Sequence, residues 1–325
     1  MTVRWGLLST AKINREILRA AAESDEVELV AVASRDRSRA EDYAREHGLE
    51  RAYGTYEQLL EDPEVEALYN PLPNALHVPW SMRALEAGKH VLCEKPLSRR
   101  PDEVATAFDL AEARGLVLSE AFMYRHSPQT HRVAELVREG AVGRLNQIRG
   151  SFSFGLADPA NVRLRPELDG GALLDVGCYC VSGARLLAGE PERAFAEQVL
   201  AETGVDLALH GTLVFPGGVV AQFDASFQAP VRQRLEAVGD EGELVVEAPW
   251  RTDWDGDVLL ARDGKVERVP VERPNAYRLE LENLGDAIRG RGEALLGRAD
   301  AVGQARTLDA LLRAAEERRP IELSS

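Results

Sequence analysis

His90-Val91-Leu92-Cys93-Glu94-Lys95-Pro96-Leu97 is a short apolar run that ends in a carboxylate, an ammonium and a proline. Such a run suits a buried parallel strand, and a charge pair at its end needs partners or water. Pro96 has no N–H and a fixed φ, so it stops the ladder and biases Lys95 toward an extended conformation. In open α/β sheets the carboxyl ends of the strands are where ligands bind, so the stretch reads as a strand delivering Lys95 to a site. On these residues alone an ordinary exposed ion pair between Glu94 and Lys95 stays ahead.

Outward from this stretch, the first third of the chain alternates apolar runs with amphipathic segments. Val3 to Leu8, Val27 to Ala33, Ala67 to Asn70, Val91 to Cys93 and Leu116 to Ser119 read as strands. Between them, Ile13 to Ala22, Arg37 to Glu46, Ala75 to Ala87 and Pro101 to Ala113 carry apolar residues at helical spacing. Gly48, Gly88 and Gly115 follow helical segments, and Pro101 suits a first helical position. Repeated strand-helix-strand units predict an α/β fold with a parallel, doubly wound sheet and right-handed crossovers.

With 325 residues, 45% of them hydrophobic, the chain can bury a substantial core in about two domains. A net charge of -15 argues against sequence-independent nucleic-acid binding and against an anionic membrane surface. No basic n-region and cleavage site precede Val3, and no run is read as long enough to span a membrane. Cys93, Cys178 and Cys180 form neither a disulfide framework nor a zinc-finger spacing, so no metal site and a reduced, cytoplasmic setting are expected. Arginine far outnumbers lysine, which occurs at Lys12, Lys89, Lys95 and Lys265, so Lys95 stands out in its own chain.

At the first crossover, Gly6-Leu7-Leu8-Ser9-Thr10-Ala11-Lys12-Ile13-Asn14 sets Ser9, Ala11 and Asn14 at the three glycine positions of the dinucleotide fingerprint. Small residues still permit a tight turn and a close approach of backbone amides to a pyrophosphate at the helix N-terminus. A plain strand-to-helix turn fits the segment equally well. The second strand discriminates more, because it ends in Ser34-Arg35 where an NAD-selective site usually has an acid. A hydroxyl and a guanidinium suit a 2′-phosphate, which makes NADP the expected cofactor, with NAD possible. Arg37 and Arg39 fit a solvated helix start beside Asp36, Glu41 and Asp42. After the strand ending at Asn70, Pro71-Leu72-Pro73 makes a rigid loop and Asn74 suits an N-cap. His77 follows, where packing or capping is the commoner role.

Taken in order, five motifs resemble the Gfo/Idh/MocA oxidoreductase family: the Gly6 to Asn14 turn, the Pro71 to His77 loop, Glu94-Lys95-Pro96, the Glu120 to Pro128 junction and Gly170 to Tyr179. Within it the chain is most similar to the branch of dimeric dihydrodiol dehydrogenases and NADP-dependent D-xylose 1-dehydrogenases. The resemblance implies an N-terminal Rossmann domain, 1–123, binding NADP, and a C-terminal α/β domain, 124–325, for substrate binding and oligomerisation. It implies cofactor contacts from Ser9, Thr10, Ala11, Ile13, Ser34, Arg35, Pro71, Leu72, Asn74, His77, Glu94 and Lys95. It also implies a homo-oligomer, a dimer or a dimer of dimers.

Beyond the junction, Gln129 to Arg138 reads as a helix, Gly143 to Phe154 as a strand, and Ala172 to Ala188 as a helix. Runs at hairpin spacing follow at Leu207 to Phe215, Val219 to Phe227, Gln233 to Val238 and Glu243 to Glu247, which predicts a large, mostly antiparallel open sheet. Ala276 to Arg289 and Ala299 to Arg318 read as closing helices. Asp175 and Tyr179 are four apart on one helical face near the end that favours negative charge, and Gly177 between them leaves room for a ring or a sugar. A buried tyrosine bonded to an aspartate is the bland alternative, and the Lys95 and cofactor signals tip the balance to catalysis.

Hydride chemistry belongs to the cofactor, so the protein must orient the nicotinamide and manage the proton of the alcohol. Tyr179 is the expected general base, because a nearby ammonium lowers a phenol from its usual pKa of ~10. Lys95 supplies that field, and Asp175 orients Lys95 or a sugar hydroxyl. Phe122, Phe154, Arg163, Asp175 and Tyr179 are the expected substrate contacts. The branch resemblance implies oxidation of an aldose at C1, D-xylose-like, with a trans-dihydrodiol second. Inositol-type oxidation ranks lower because the family's histidine is Tyr179 here, and a non-catalytic NADP-binding sensor is the alternative of another class.

Overall fold

The computed structural model describes residues 2–251 and 253–323. They form two compact units, one made of residues 1–123 and 277–302, the other of 124–276 and 303–325. The contiguous division into 1–123 and 124–325 is therefore corrected, because the stretch from Tyr277 to Val302 packs with the N-terminal unit. Its ties within that unit are specific. Ser24 Oγ donates to Glu282 at 2.8 Å, Arg289 pairs with Glu66 at 2.8 Å, and Ser119 Oγ donates to the Leu296 carbonyl at 3.0 Å.

The first unit runs β1 (Val3–Leu8), α1 (Asn14–Ala22), β2 (Val27–Ala33), α2 (Arg37–His47), β3 (Arg51–Tyr53), α3 (Tyr56–Leu60), β4 (Ala67–Asn70), α4 (His77–Glu86), β5 (His90–Glu94), α5 (Pro101–Ala113) and β6 (Leu118–Ala121). The strands pair in parallel in the order β3-β2-β1-β4-β5-β6. Strand order reverses between β1 and β4, so the loops after β1, β4 and β5 gather at the switch point where such sheets bind ligands. Asp36 caps α2 by accepting from Arg39 N–H, and Gly48 ends it at φ 70°. The short β3 and α3 lie outside the strands and helices read from sequence. They are pinned by polar contacts, Arg51 to Asp62 at 3.1 Å and Tyr53 Oη to Asp62 at 2.9 Å, which hydrophobic periodicity does not register.

The second unit runs α6 (Pro128–Arg138), β7 (Leu145–Ser153), a π-helical turn (Leu173–Gly177) that continues as α7 (Cys178–Ala188), β8 (Arg193–Leu200), β9 (Asp206–Val214), β10 (Val220–Ser226), β11 (Arg232–Gly239), β12 (Gly242–Val246), β13 (Val258–Arg262), β14 (Lys265–Arg268) and β15 (Ile321–Glu322). Its sheet has the order β14-β13-β12-β11-β7-β10-β9-β8-β15. The β7–β10 pair is parallel and the other pairs described in this sheet are antiparallel.

Alternation explains the packing. Ala194, Ala196, Leu209, Leu213, Ala221, Ala225, Leu235 and Ala237 are buried, whereas Arg149, Glu197, His210, Gln222 and Arg232 on the other face are exposed. The helix sits on the apolar face at close range: a Cβ on Gly177 would lie 3.0 Å from Ala225 Cβ, and one on Gly150 3.2 Å from Cys180 Cβ. Pro166–Ala188 is long and apolar enough to cross a membrane, which corrects the expectation that no stretch is, and 78% of its 18-residue window is buried inside the protein, as a core helix is.

Close packing also governs β1. A Cβ on Gly6 would meet Leu59 Cδ1 and Leu68 Cδ2, each at 2.9 Å. Gly6→Val should therefore destabilise the chain by ~1–3 kcal/mol through overpacking. An unchanged denaturant midpoint would contradict this packing.

Candidate active site

In the first unit the predicted cofactor residues lie at the carboxyl ends of four strands, β1, β2, β4 and β5. Ser9 leaves β1 with φ 105°, its N–H donates to the Ala33 carbonyl at 3.0 Å, and Asn14 Nδ2 donates to the Ser9 carbonyl at 2.8 Å. The buried Asn14 thus holds the turn that the fingerprint glycines hold in other chains, and Thr10, Ala11 and Ile13 stay half-exposed in front of α1. Ser34 is buried at the end of β2, and its Oγ accepts from the Asp36 N–H at 3.3 Å. Arg35 is exposed beside Tyr56; burial pushes that phenol up while the Arg35 guanidinium draws it back.

The loop after β4 is organised by Asn70, which the sequence reading passed over. Asn70 is fully buried, and its Nδ2 donates to the His77 carbonyl at 3.0 Å and to Ser81 Oγ at 3.1 Å. Pro71 is half-exposed, Leu72 is buried, and Asn74 begins a 3₁₀ turn whose N-cap is Pro73, so the expected capping role of Asn74 is corrected. His77 is 1% exposed, with Nδ1 2.7 Å from the Pro96 carbonyl and Nε2 2.6 Å from the Leu72 carbonyl. Each ring nitrogen faces a backbone carbonyl, and the ring N–H of a neutral imidazole donates to one of them, so the structure places His77 as a clamp between the two loops.

At the end of β5, Tyr69 Oη donates to Glu94 Oε1 at 2.5 Å, and the Lys95 N–H donates to Glu94 Oε2 at 3.3 Å. The Lys95–Pro96 peptide is cis, Lys95 is half-exposed, and the Leu97 N–H donates to Glu120 at 2.8 Å. Burial and the Glu94 charge push the Tyr69 phenol well up. They do the same to Glu280, which is 1% exposed on the helix Ala276–Ile288 and has no hydrogen-bond partner for its carboxyl oxygens. The signal for Glu280 was its place on the apolar side of that helix with Tyr277, Leu281 and Leu284. Phe122 is 0% exposed at the end of β6, so it is core and its expected substrate contact is corrected.

In the second unit the π turn and α7 carry the other half of the constellation. Asp175 is half-exposed, and its Oδ2 accepts from Arg163 Nε at 2.6 Å. Within this unit the partner of Asp175 is thus Arg163, which the sequence reading had assigned to the substrate. The Arg163 guanidinium also lies 5.7 Å from the Phe154 ring centre, and Phe154 packs on Phe227 at 5.2 Å. Tyr179, 8% exposed, sits among Phe152 at 5.4 Å, Tyr124 at 5.8 Å and Trp250 at 6.2 Å.

That ring box is itself fixed. Tyr124 Oη donates to Ser182 Oγ at 2.7 Å and Trp250 Nε1 to the Ser151 carbonyl at 2.9 Å. Gly177 opens no space for a sugar: its missing side chain is what lets the helix close on Ala225 and Leu173, so that expectation is corrected. Tyr124 stands in the Glu120 to Pro128 motif without a role assigned to it, and Trp250 carried no motif signal; each comes from a distant segment of the chain.

Two family models match this chain. One, described as an oxidoreductase family with an NAD-binding Rossmann fold, covers residues 3–122, and the GFO/IDH/MocA C-terminal domain covers residues 130–245. A D-xylose 1-dehydrogenase (NADP(+)) of Haloferax volcanii is 39% identical over 323 residues, spanning 98% of this chain and 99% of its own. The trans-1,2-dihydrobenzene-1,2-diol dehydrogenase of Mus musculus is 34% identical over 254 residues, 77% of this chain and 76% of its own. Among solved structures, a 3-ketoreductase from Actinomadura kijaniata in complex with NADP and TDP-benzene matches with a TM-score of 0.91 and 29% identity, over 97% of this chain and 98% of its own.

The clamp at His77 is directly testable. His77→Leu leaves the Leu72 and Pro96 carbonyls without their partner and should cost ~1–3 kcal/mol of stability. Amides of the loops after β4 and β5 should exchange faster with solvent, and unchanged exchange would show that the clamp holds neither loop.

Proposed function

Because this chain belongs to the Gfo/Idh/MocA oxidoreductase family, we propose that it is an NADP-dependent dehydrogenase that moves a hydride between the nicotinamide and C1 of an aldose, with Tyr179 as general acid/base and Lys95 assisting it. The observation that carries the reading is the setting of Tyr179, an almost buried phenol one helical turn from an Arg163-paired Asp175 and walled by aromatic rings. The named relatives support the cofactor and the sugar class.

The residues of the first unit fit the cofactor. The Ser9 turn presents backbone amides and the start of α1 to a pyrophosphate, and the exposed Arg35 behind the buried Ser34 suits a 2′-phosphate. Bound there, NADP supplies the hydride acceptor. The protein's part is the proton. In the oxidative direction Tyr179, as phenolate, takes the proton of the C1 hydroxyl while that carbon gives up its hydride, leaving a carbonyl. Lys95 favours the phenolate and holds the substrate oxygen, and Arg163, paired with Asp175, orients that carboxylate toward the sugar hydroxyls.

A second reading, oxidation of a trans-dihydrodiol, is favoured by the apolar strip of Phe154, Leu156, Leu164 and Phe227, which suits a flat hydrocarbon ring. Buried thiols at Cys93, Cys178 and Cys180 fit a reducing compartment such as the cytoplasm. The outer face of the large sheet fits a homodimer. Its hollow of 490 Å³ mixes Arg149, Arg232 and Arg234 with Glu197, Asp224 and Glu236, both signs on one patch, as a self-complementary interface needs.

An NADP-coupled absorbance screen across aldoses, cyclic polyols and dihydrodiols tests the activity; reduction with D-xylose and related aldoses is expected, and NADP binding without turnover on any of them would favour a sensor. Tyr179→Phe should bind NADPH normally and lose ~10²–10⁴-fold in kcat; unchanged kcat would remove Tyr179 from the chemistry. Arg35→Ala should weaken NADP binding and leave NAD little affected, whereas equal losses would refute the 2′-phosphate role. Light scattering should give twice the 35.7 kDa chain mass, and a monomer would dismiss the sheet-face dimer.

A further inference from the structure

We propose that Asp206 is a positioning residue for the site: gripping the start of the π turn from the sheet, it sets where Asp175 and Tyr179 stand. The inference rests on the roles proposed above for those two residues. Asp206 opens β9, is 4% exposed, and its Oδ2 accepts from the Leu173 N–H at 2.6 Å. The Ala172 N–H bonds it as well. The helix has no local substitute, because Ala172 at the N-cap position is itself helical and makes no side-chain cap bond.

An ordinary N-cap lies next to its helix in sequence. Here the capping carboxylate comes from 33 residues further on, so the helix start is tied to the sheet and not to its own loop. The backbone is shaped for the grip. Gly171 has φ 118°, and a Cβ there would lie 2.0 Å from Asp206 Oδ1. The Gly171 N–H in turn donates to the Arg163 carbonyl at 2.9 Å, while the Arg163 side chain holds Asp175.

One continuous set of bonds therefore runs from the sheet through Leu173 to the turn, and from the loop through Arg163 to Asp175. π turns recur at functional sites and lack the regular α ladder, so their geometry has to be imposed from outside. The winding of this turn decides how Asp175 and Tyr179 line up on one face.

The same carboxyl also gives the grip a signature in pH. Burial pushes Asp206 up to about 7, against the N–H groups of Ala172, Leu173 and Asp206 itself, which hold it down. The adjoining turn and loop carry Asp175 and Arg163, paired with each other, and also Asp158, Arg165, Glu167 and Asp169. With the folded value above an unfolded one of ~3.9, the folded protein binds the extra proton between about pH 4 and 7. Stability from this group is thus highest at the acid end, falls as pH rises through that window, and levels off above it.

Full-length Asp206→Ala and Asp206→Asn test the role. The readouts are kcat and KM for a substrate the wild type turns over, NADPH affinity by fluorescence, and hydrogen exchange of the 172–179 amides. Asp206→Ala should keep NADPH affinity and KM within about twofold, lose ~10²-fold in kcat as expected for a misplacement near 1 Å, and exchange faster at 172–175. Asp206→Asn, which keeps an acceptor for Leu173, should recover most of kcat and lose the inflection near pH 7 in its kcat profile. Wild-type kcat and exchange in Asp206→Ala would overturn the proposal. If Asp206→Ala does not fold, Asp206→Asn decides: loss of the inflection supports the role and a wild-type profile overturns it. If the wild type turns over no substrate, the proposed function fails, and the exchange data still judge the anchor.

Discussion

The large sheet can carry the helix of Asp175 and Tyr179 close on its face only because small residues let the two backbones close up. Gly177 against Ala225, Gly150 against Cys180 and Gly183 against the Trp250 ring remove the side chains that would hold the helix away. With that spacing, Leu173, Val176 and Cys180 are buried while Asp175, on the same turns, stays half-exposed. A bulkier residue at any of these positions would lift the helix and change the depth of Tyr179 among its rings. The chemistry depends on contacts that contain no chemistry.

The first unit meets a different form of the same constraint. A parallel sheet covered on both faces has little place for a charge except at its strand ends, and the polar residues of the predicted cofactor set lie there. The ends are then stiffened by buried polar side chains that point away from any ligand. Asn14 holds the Ser9 carbonyl, Asn70 holds the start of α4, His77 joins the Leu72 and Pro96 carbonyls, and Tyr69 holds Glu94. Each satisfies backbone or carboxylate groups that burial would otherwise leave at a cost of about 1–3 kcal/mol apiece. Exposed Arg35 and half-exposed Thr10 and Lys95 are carried by this frame.

The elements with strong periodicity were legible from sequence, and α5 runs from Pro101 to Ala113 as read. What stayed hidden has a common cause. β3 and β14 are edge strands of three and four residues with no buried side chains to set a period. Asn70, Glu280, Trp250 and Asp206 act on residues far away in sequence or in the interior, where no local spacing announces them. The misreadings follow the same line: Phe122 and Gly177 stand inside a motif, and adjacency to reactive residues was taken for contact with a ligand. Burial separates the two, and a motif does not state burial.

The tyrosine raises the sharpest physical question of the site. An apolar wall around a phenol opposes its ionisation, so the aromatic box of Phe152, Tyr124 and Trp250 by itself would make Tyr179 a worse base. The box is useful only when a cation acts on the oxygen, because the same low dielectric that penalises a lone phenolate strengthens its attraction to an ammonium. Within the second unit Arg163 is committed to Asp175 at 2.6 Å. An arginine so paired leaves little net charge to spend on the phenol. If Tyr179 is the base proposed for it, a cation other than Arg163 has to supply that field, which is the role the proposal gives to Lys95 in a chain that otherwise prefers arginine.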